Sequence, residues 1–120
     1  LSQALRSNAI LVKGSLERFR DFIFIDDVVD CWLKGIELEK LNNLTVNLGT
    51  GERTEVGALV KEISFHFNQP SLTVEGSTPG DQFGIYADTN LLKSSFEIDQ
   101  LTSLEEGMKR FADWAKKQFS

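Results

Sequence analysis

Two kinds of hydrophobic spacing alternate along this chain, and their alternation most constrains its fold. Short apolar or β-branched runs occupy residues 9–13, 20–25, 44–48 and 71–74, and each predicts a β-strand. Stretches with apolar residues three or four positions apart follow these runs, and each predicts an amphipathic α-helix. Strands alternating with helices are typical of a mixed α/β domain. The spacing therefore favours one α/β domain over residues 1–120.

Polar residues mark where the predicted helices should begin. A short polar side chain can accept a hydrogen bond from the first free backbone N–H groups of a helix. The expected caps are Asp26 with Asp27, Thr54, Asp88, and Ser103, which forms a capping box with Glu106. The apolar faces that follow are Val28, Val29, Trp32, Leu33 and Ile36; Val56, Leu59, Val60, Ile63 and Phe67; Leu91, Leu92 and Phe96; and Met108, Phe111, Ala112, Ala115 and Phe119. Pro79 and Gly80 predict a turn.

Composition and charge argue against several classes of protein. The formal net charge is −5 without a basic stripe, which disfavours binding to a phosphate backbone, so we expect no nucleic-acid partner. No apolar run approaches the roughly 20 residues that a membrane span needs. A single cysteine, Cys31, fits a reducing compartment, and we expect a cytoplasmic protein. Cys31 and His66 stand alone, so we expect no metal site and an inert, buried thiol.

Four short segments share their order and spacing with a known family. Residues 20–27 read R-D-F-I-F-I-D-D, residues 47–51 read N-L-G-T-G, residues 78–88 hold T-P-G-D and then Y-A-D, and residues 103–107 read S-L-E-E-G, with Trp114 later. Together they resemble R-D-F-(I/V)-(Y/H)-V-x-D, N-(I/L)-G-T-G, R-P-G-D…(Y/A)-A-D and S-L-E-E-G-L…W of the NAD-dependent epimerase/dehydratase family. These are extended short-chain dehydrogenases/reductases. The resemblance covers nearly the whole chain.

The resemblance implies that the cofactor and the substrate bind to different parts of a larger enzyme. Family members bind NAD or NADP on an amino-terminal Rossmann domain and the nucleotide-diphosphate sugar on the carboxy-terminal portion. Hydride transfer is assisted by a Tyr-x-x-x-Lys pair. This chain has no G-x-x-G-x-x-G segment, and Tyr86 is followed four residues later by Asn90. We therefore expect a carboxy-terminal, substrate-binding fragment without catalytic residues, whose cofactor binds outside it and whose Rossmann half is missing.

Three residues are the expected substrate-binding groups. Arg20 matches the family arginine of R-D-F, which implies a contact to the diphosphate, and a guanidinium suits phosphate oxygens. A surface ion pair of Arg20 with Asp21 or Asp26 is the alternative. Asp81 matches the aspartate of P-G-D, which touches the sugar nucleotide or orders its loop, although it could be an ordinary turn residue. Asn47 could position the substrate loop or satisfy backbone groups, and Asp27 is interpreted as a structural cap.

One departure from the family pattern bears on binding, and several functions remain open. Thr78 replaces the arginine of R-P-G-D, which removes a second cation directed at phosphate. A UDP-glucose 4-epimerase-like enzyme is the first expectation, with dTDP- or GDP-hexose dehydration and ADP-heptose epimerisation as alternatives. A non-catalytic sugar-nucleotide-binding or regulatory module on the same scaffold is the competing class. We also expect a homodimer when intact, and exposed apolar surface near Phe22, Phe24 or the helix with Val28 and Trp32, hence self-association.

Overall fold

The computed structural model describes residues 1–77, 79–98 and 100–119, and it shows the predicted mixture of helices and strands. The helices are α1 (Ser2–Ser7), α2 (Ile25–Glu37), α3 (Val56–His66), α4 (Asn90–Phe96) and α5 (Leu104–Phe119), and a 3₁₀ turn covers Glu39–Leu41. The strands are β1 (Ala9–Lys13), β2 (Phe19–Arg20), β3 (Thr54–Glu55) and β4 (Ser71–Glu75). The α/β prediction is confirmed.

The strands form two small sheets. β1 and β4 pair in parallel, with Ile10 opposite Leu72 and Val12 opposite Val74. A parallel pair needs a long crossover, and here the crossover carries everything between Lys13 and Ser71. β2 and β3 pair antiparallel, with Arg20 opposite Thr54. The predicted strands at residues 9–13 and 71–74 are therefore confirmed, the second ending one residue later than predicted.

The larger core lies between the crossover helix α3 and the last helix α5. Val60 and Ile63 of α3 pack in one cluster with Met108, Ala112 and Ala115 of α5. Ala112 and Ala115 are fully buried, and their small side chains let the two helices approach closely. The apolar stripe predicted for α3 is confirmed, as is that part of the α5 face. Phe111 and Phe119 of the same predicted face are exposed instead.

A second, smaller core lies under α2 and α4. Its buried members are Cys31, Leu41, Leu92 and Phe96. Burial raises the pKa of the Cys31 thiol, and the neighbouring carboxylates of Asp27 and Asp30 raise it further against the opposing charge of Lys34. A buried thiol with a raised pKa is poorly nucleophilic, in agreement with the predicted inert cysteine. Leu91, predicted for the apolar face of α4, is exposed.

Two predicted strands are wrong in extent or in kind. The run at residues 20–25 is a strand only at Phe19–Arg20, because Ile25 already begins α2. Residues 44–48 are not a strand, and within the described ranges they pair with no neighbouring strand. Strand propensity reflects packing on a sheet more than an intrinsic preference of the backbone. Without a partner ladder, the β-branched sequence at 44–48 stays irregular.

Two of the four predicted helix caps are shifted. α2 has Phe24 at its N-cap, which places Asp26 and Asp27 in the first turn instead of before it. Two negative charges there still suit the positive end of the helix dipole. Thr54 belongs to β3, and Glu55 is the N-cap of α3. Both shifts arise because the preceding extended segment ends one or two residues away from where the polar side chain stands.

The other two caps agree better with the prediction. The Asp88 carboxylate accepts a hydrogen bond from the Asn90 backbone N–H at 3.0 Å, although Thr89 is the N-cap of α4. The Ser103 hydroxyl accepts the Glu106 backbone N–H at 3.2 Å just before α5, which confirms that half of the predicted capping box. Gly80 has φ of 78° in the predicted turn with Pro79, a left-handed conformation that glycine adopts without strain.

The molecule is flatter and more exposed than a chain of this length usually is. Its radius of gyration is 16.7 Å, against about 14 Å for a compact domain of this length. Its accessible surface is 8276 Å², against about 6,500 Å² for a compact monomer of this mass. The apolar face of α2 contributes, since Trp32 and Ile36 are 67% and 80% exposed. Exposed apolar surface on the Trp32 helix is confirmed, whereas Phe22 and Phe24 are half-buried.

Candidate functional site

The structure brings together two of the three predicted site residues. Arg20 lies on β2, and Asp81 follows the turn at Pro79 and Gly80. The Arg20 Nη2 atom donates to Asp81 Oδ1 at 2.8 Å and to the Gln82 carbonyl at 3.1 Å. The alternative partners of Arg20 were wrong in this respect, because Asp21 binds backbone N–H groups and Asp26 pairs with Arg110. Two segments of the resemblance thus meet at one ion pair.

A second arginine contacts the same carboxylate. The Arg18 Nη1 atom lies 2.5 Å from Asp81 Oδ2, so each oxygen of Asp81 has its own guanidinium. The side chains of Arg18, Arg20 and Asp81 are 15%, 31% and 33% exposed. Arg18 and Arg20 are two positions apart on an extended segment, which puts both side chains on one face. We call these three residues the paired-arginine site.

Asp21 joins three of the resembling segments through its carboxylate. Its Oδ1 accepts the Thr50 backbone N–H at 2.8 Å and the Thr50 hydroxyl at 2.5 Å. Its Oδ2 accepts the backbone N–H groups of Gly51 at 2.9 Å and Ala87 at 3.2 Å. Burial acts to raise the pKa of this carboxyl, but the hydrogen bonds from Thr50, Gly51 and Ala87 outweigh burial and lower it. We call Asp21, Thr50, Gly51 and Ala87 the Asp21 cluster.

The lowered pKa of Asp21 predicts a pH-dependent stability. A carboxyl whose folded pKa lies below its ordinary value of 3.8 stabilises the fold above that value and loses this contribution as pH falls through the folded pKa. The free-energy difference between the wild-type chain and Asp21→Asn should therefore be constant above about pH 5 and shrink below it. Urea denaturation of both chains across this range measures it. A difference that stays constant down to the acid transition would contradict the prediction.

Close backbone approach at Gly49 makes room for the Asp21 cluster. A Cβ at Gly49 would lie 2.6 Å from Asp21 Oδ2 and 2.9 Å from the Ala87 Cβ. Gly51 has φ of 78°, and a Cβ there would meet the Thr89 hydroxyl at 2.7 Å. Both glycines are therefore needed for the turn to bring its N–H groups onto the carboxylate.

Asn47 and Asp27 make structural contacts in this conformation. The Asn47 amide donates to the Asp88 carbonyl at 3.2 Å, which joins the N-L-G-T-G segment to the start of α4. Of the two roles predicted for Asn47, satisfying a backbone group is the one seen here. Asp27 accepts the Thr102 backbone N–H at 2.9 Å and the Thr102 hydroxyl at 3.0 Å. Its structural role is confirmed, but it joins α2 to the segment before α5 and caps no helix.

Aromatic side chains form one wall beside the paired-arginine site. The Phe19 ring lies 6.0 Å from the Phe83 ring and 6.2 Å from the Tyr86 ring. The Arg53 guanidinium sits over the Phe19 ring at 4.0 Å, a cation–π distance. Gly84 lies directly beneath this ring, since a Cβ there would come within 2.1 Å of it. The wall is open to solvent, with Phe83 and Tyr86 each more than half exposed.

Sequence reasoning left two residues of the site without a role. Asp21 was considered only as a surface partner of Arg20, and Arg18 lies outside the four segments of the resemblance. An aspartate beside a family arginine, followed by a Gly-Thr-Gly turn, could have suggested a carboxylate that accepts hydrogen bonds from several backbone N–H groups. The spacing R-F-R could have suggested two arginines on one face of a strand. Thr78, where a second cation was expected to be missing, lies outside the described residues.

Other candidate chemistry is limited in the described part of the chain. Residues 1–77, 79–98 and 100–119 contain no group of three His, Cys, Asp or Glu side chains arranged to hold a metal ion. His66 is the last residue of α3, and its Nε2 atom is buried and has no hydrogen-bond partner among these residues. None of their helices combines the length and hydrophobicity that a membrane span requires.

The fold defines the class of protein that this chain resembles. Comparisons with family models and with curated proteins found no match. Solved structures do match, and they are NAD-dependent epimerases and dehydratases of nucleotide sugars. The chain has the fold of the carboxy-terminal part of these extended short-chain dehydrogenases/reductases. The resemblance that the four sequence segments predicted is thereby confirmed.

Three of the matching structures show the extent of the likeness. A UDP-glucose 4-epimerase from Thermotoga maritima, solved with UDP-glucose, is 27% identical with a TM-score of 0.88. An NAD-dependent NDP-hexosamine 5,6-dehydratase of tunicamycin biosynthesis is 24% identical with a TM-score of 0.85. A UDP-glucuronic acid 4-epimerase from Bacillus cereus, in complex with UDP-glucuronic acid and NAD, is 20% identical with a TM-score of 0.85. The matches cover 97% or 98% of this chain and 38% of each of those chains.

Proposed function

We propose that this chain is the substrate-binding region of an NAD(P)-dependent nucleotide-sugar epimerase or dehydratase, and that the enzyme is of the UDP-glucose 4-epimerase type. The observation that carries the proposal is the meeting of Arg20 with Asp81, because it joins the R-D-F and P-G-D segments at one charged site. The likeness in fold to a UDP-glucose 4-epimerase supports the choice of UDP-glucose as the first substrate to test.

The proposed roles follow from the chemistry of each side chain. Arg20 binds the diphosphate through charge-assisted hydrogen bonds from its planar guanidinium. Asp81 holds the loop after the Pro79–Gly80 turn against β2 while no ligand is bound. Asn47 fixes the N-L-G-T-G segment relative to α4 and thereby supports the same loop. None of these groups is proposed to move a proton or a hydride, and the chain alone is proposed to be inactive.

The cofactor is proposed to bind outside this chain. Dinucleotide sites present free backbone N–H groups of a glycine-rich turn to the pyrophosphate. The glycine turn at Gly49 and Gly51 does not fit that role, because the N–H groups of Thr50 and Gly51 already donate to Asp21. We therefore propose that NAD or NADP is held by a separate Rossmann domain. The intact enzyme is further proposed to be cytoplasmic and to form a homodimer.

Substitution of Arg20 tests the proposed binding role. Arg20→Gln should weaken binding of UDP-glucose by about 10- to 100-fold, since a hydrogen bond to a charged group contributes about 1.5–3 kcal/mol. Isothermal titration calorimetry of the 120-residue chain with UDP-glucose, and with dTDP-, GDP- and ADP-sugars, measures the affinity and the base preference. Arg6→Gln is the matched control, because it removes the same charge from exposed α1.

The outcomes separate the candidate functions. Equal affinity of Arg20→Gln and Arg6→Gln for UDP-glucose would contradict the role of Arg20. Preference for a dTDP-, GDP- or ADP-sugar would move the proposal to another branch of the same enzyme class. The non-catalytic module shares the binding step and differs only in lacking turnover when the chain is part of a longer protein. Nothing in the described residues favours that alternative.

A further inference from the structure

Asp81 occupies a position between two cations that a larger anion could fill. Its two oxygens lie 2.5 Å from Arg18 and 2.8 Å from Arg20. A single carboxylate carries one negative charge, so the paired-arginine site retains excess positive charge while Asp81 is in place. With side-chain exposures between 15% and 33%, the site is open enough for a ligand to reach it.

The two arginines are positioned by backbone contacts that do not depend on Asp81. The Val56 backbone N–H donates to the Arg18 carbonyl at 2.7 Å, and Arg20 is paired with Thr54 in the β2–β3 sheet. The Arg20 Nη1 atom donates to the Phe19 carbonyl at 2.7 Å, which fixes one side of its guanidinium. Asp81, in contrast, belongs to the loop between β4 and α4. The backbones that carry the two cations are therefore held by the β2–β3 sheet, and the anion is supplied by a loop.

We propose that Arg18 and Arg20 together bind a diphosphate group, and that Asp81 fills this site until the ligand displaces it. A diphosphate has two linked phosphoryl groups, and each can accept parallel hydrogen bonds from one guanidinium. It also carries more negative charge than a carboxylate and so neutralises both arginines. The inference rests on the proposed function, which assigns the diphosphate to Arg20, and it adds the role of Arg18 and the displacement of Asp81.

Arg18 supplies the cation that Thr78 does not. Resemblance to the family leads one to expect a second phosphate-directed cation at position 78, where this sequence has threonine. Arg18 lies outside the quoted family segments, yet it reaches the same carboxylate as Arg20. The second cation thus comes from the segment that leads into β2 and not from the loop that carries Asp81. Arg18 is accordingly a binding residue that the quoted family segments do not include.

The displacement mechanism predicts that removing an arginine weakens the binding of pyrophosphate and that removing the charge of Asp81 tightens it. Arg18→Gln removes one cation and should weaken binding of inorganic pyrophosphate about ten-fold, the lower end for loss of a hydrogen bond to a charged group. Asp81→Asn removes the competing anion and should tighten it about five-fold, because a partly exposed ion pair contributes up to roughly 1 kcal/mol. Arg6→Gln should leave the affinity within about two-fold of wild type, since charges on the exposed surface are screened.

Nuclear magnetic resonance titration of the 120-residue chain with inorganic pyrophosphate tests the inference. We expect the backbone N–H signals of Phe19, Arg20 and Gln82 to shift, with the order of affinities Asp81→Asn, wild type, Arg18→Gln. The inference would be overturned if Arg18→Gln and Arg6→Gln bind pyrophosphate with equal affinity, or if Asp81→Asn binds it more weakly than wild type. It would also be overturned if neither wild type nor Asp81→Asn binds pyrophosphate at millimolar concentration. Spectra of the free variants show whether each is folded, and Arg18→Lys, which keeps the charge, should retain part of the affinity.

A parallel titration with UDP-glucose separates this inference from the proposed function. If pyrophosphate follows the expected order and UDP-glucose binds no more tightly than pyrophosphate, the paired-arginine site stands and nucleotide-sugar recognition fails. If UDP-glucose binds tightly but neither ligand responds to Arg18→Gln or Asp81→Asn, the proposed function stands and the displacement mechanism is overturned.

Discussion

Asp21→Ala should lower the free energy of unfolding by about 2–4 kcal/mol, because it leaves several partly buried donors without an acceptor. The carboxylate accepts the Thr50 hydroxyl and the backbone N–H groups of Thr50, Gly51 and Ala87. Alanine can accept none of these, and water can reach only some of the vacated positions. Urea denaturation of the wild-type and variant chains at neutral pH measures the difference.

Two control variants separate the contributions within the Asp21 cluster. Thr50→Val removes one hydroxyl donor and keeps the carboxylate, so it should destabilise the chain by only about 1 kcal/mol. Asp21→Asn keeps an oxygen for Thr50 but can turn an NH₂ group toward the N–H groups of Gly51 and Ala87. It should therefore lie nearer to Asp21→Ala than to wild type. An Asp21→Ala chain as stable as Thr50→Val would show that the carboxylate does not hold the three segments together.

Gly49→Ala should destabilise the chain by about 1–3 kcal/mol, because overpacking of a tight site forces its neighbours to shift. The added Cβ would lie 2.6 Å from Asp21 Oδ2, and that oxygen already accepts two backbone N–H groups. It would also lie 2.9 Å from the Ala87 Cβ, on the opposing segment. Moving either neighbour stretches the hydrogen bonds of the Asp21 cluster. Thermal and urea denaturation both report this loss.

A glycine elsewhere in the chain provides a control, because replacing it with alanine should stabilise the chain instead of destabilising it. Gly35 lies inside α2, and the nearest atom to an added Cβ there is Phe96 Cε1 at 3.9 Å. Gly35→Ala should therefore stabilise the chain by about 0.5–1 kcal/mol, the usual effect of alanine in a helix. In an Asp21→Ala background, Gly49→Ala should cost less than in wild type, since its closest obstacle is gone. Additive effects in the double variant would contradict steric coupling between the two positions.

The parts of the fold that the sequence predicts are those set by local periodicity. The stripe containing Val60 and Ile63 requires only that a helix bury one face, and the structure buries it. The segment at residues 44–48 has strand-forming residues, but strand formation depends on a neighbour that periodicity cannot identify. The caps at Asp26 and Thr54 failed for a related reason, because the end of the preceding extended segment sets where each helix begins.

The resemblance identified residues of the site but not the hydrogen bonds between them. It assigned Arg20 and Asp81 separately to substrate binding, and the structure shows that they form an ion pair with each other. Nothing local distinguishes Asp21 as the acceptor for Ala87, a residue far along the chain that only the tertiary fold brings near. Arg18 lies outside every quoted segment, so its contact with Asp81 required the register of β2 and the position of the turn at Gly80.

The flattened shape of the molecule sets how sharply it unfolds. A surface of 8276 Å² means that folding removes less area from water than it does in a compact domain of equal length. Both the denaturant m-value and the heat-capacity change of unfolding scale with the area newly exposed. The chain should therefore unfold over a broad range of urea concentration, and its stability should vary only weakly with temperature.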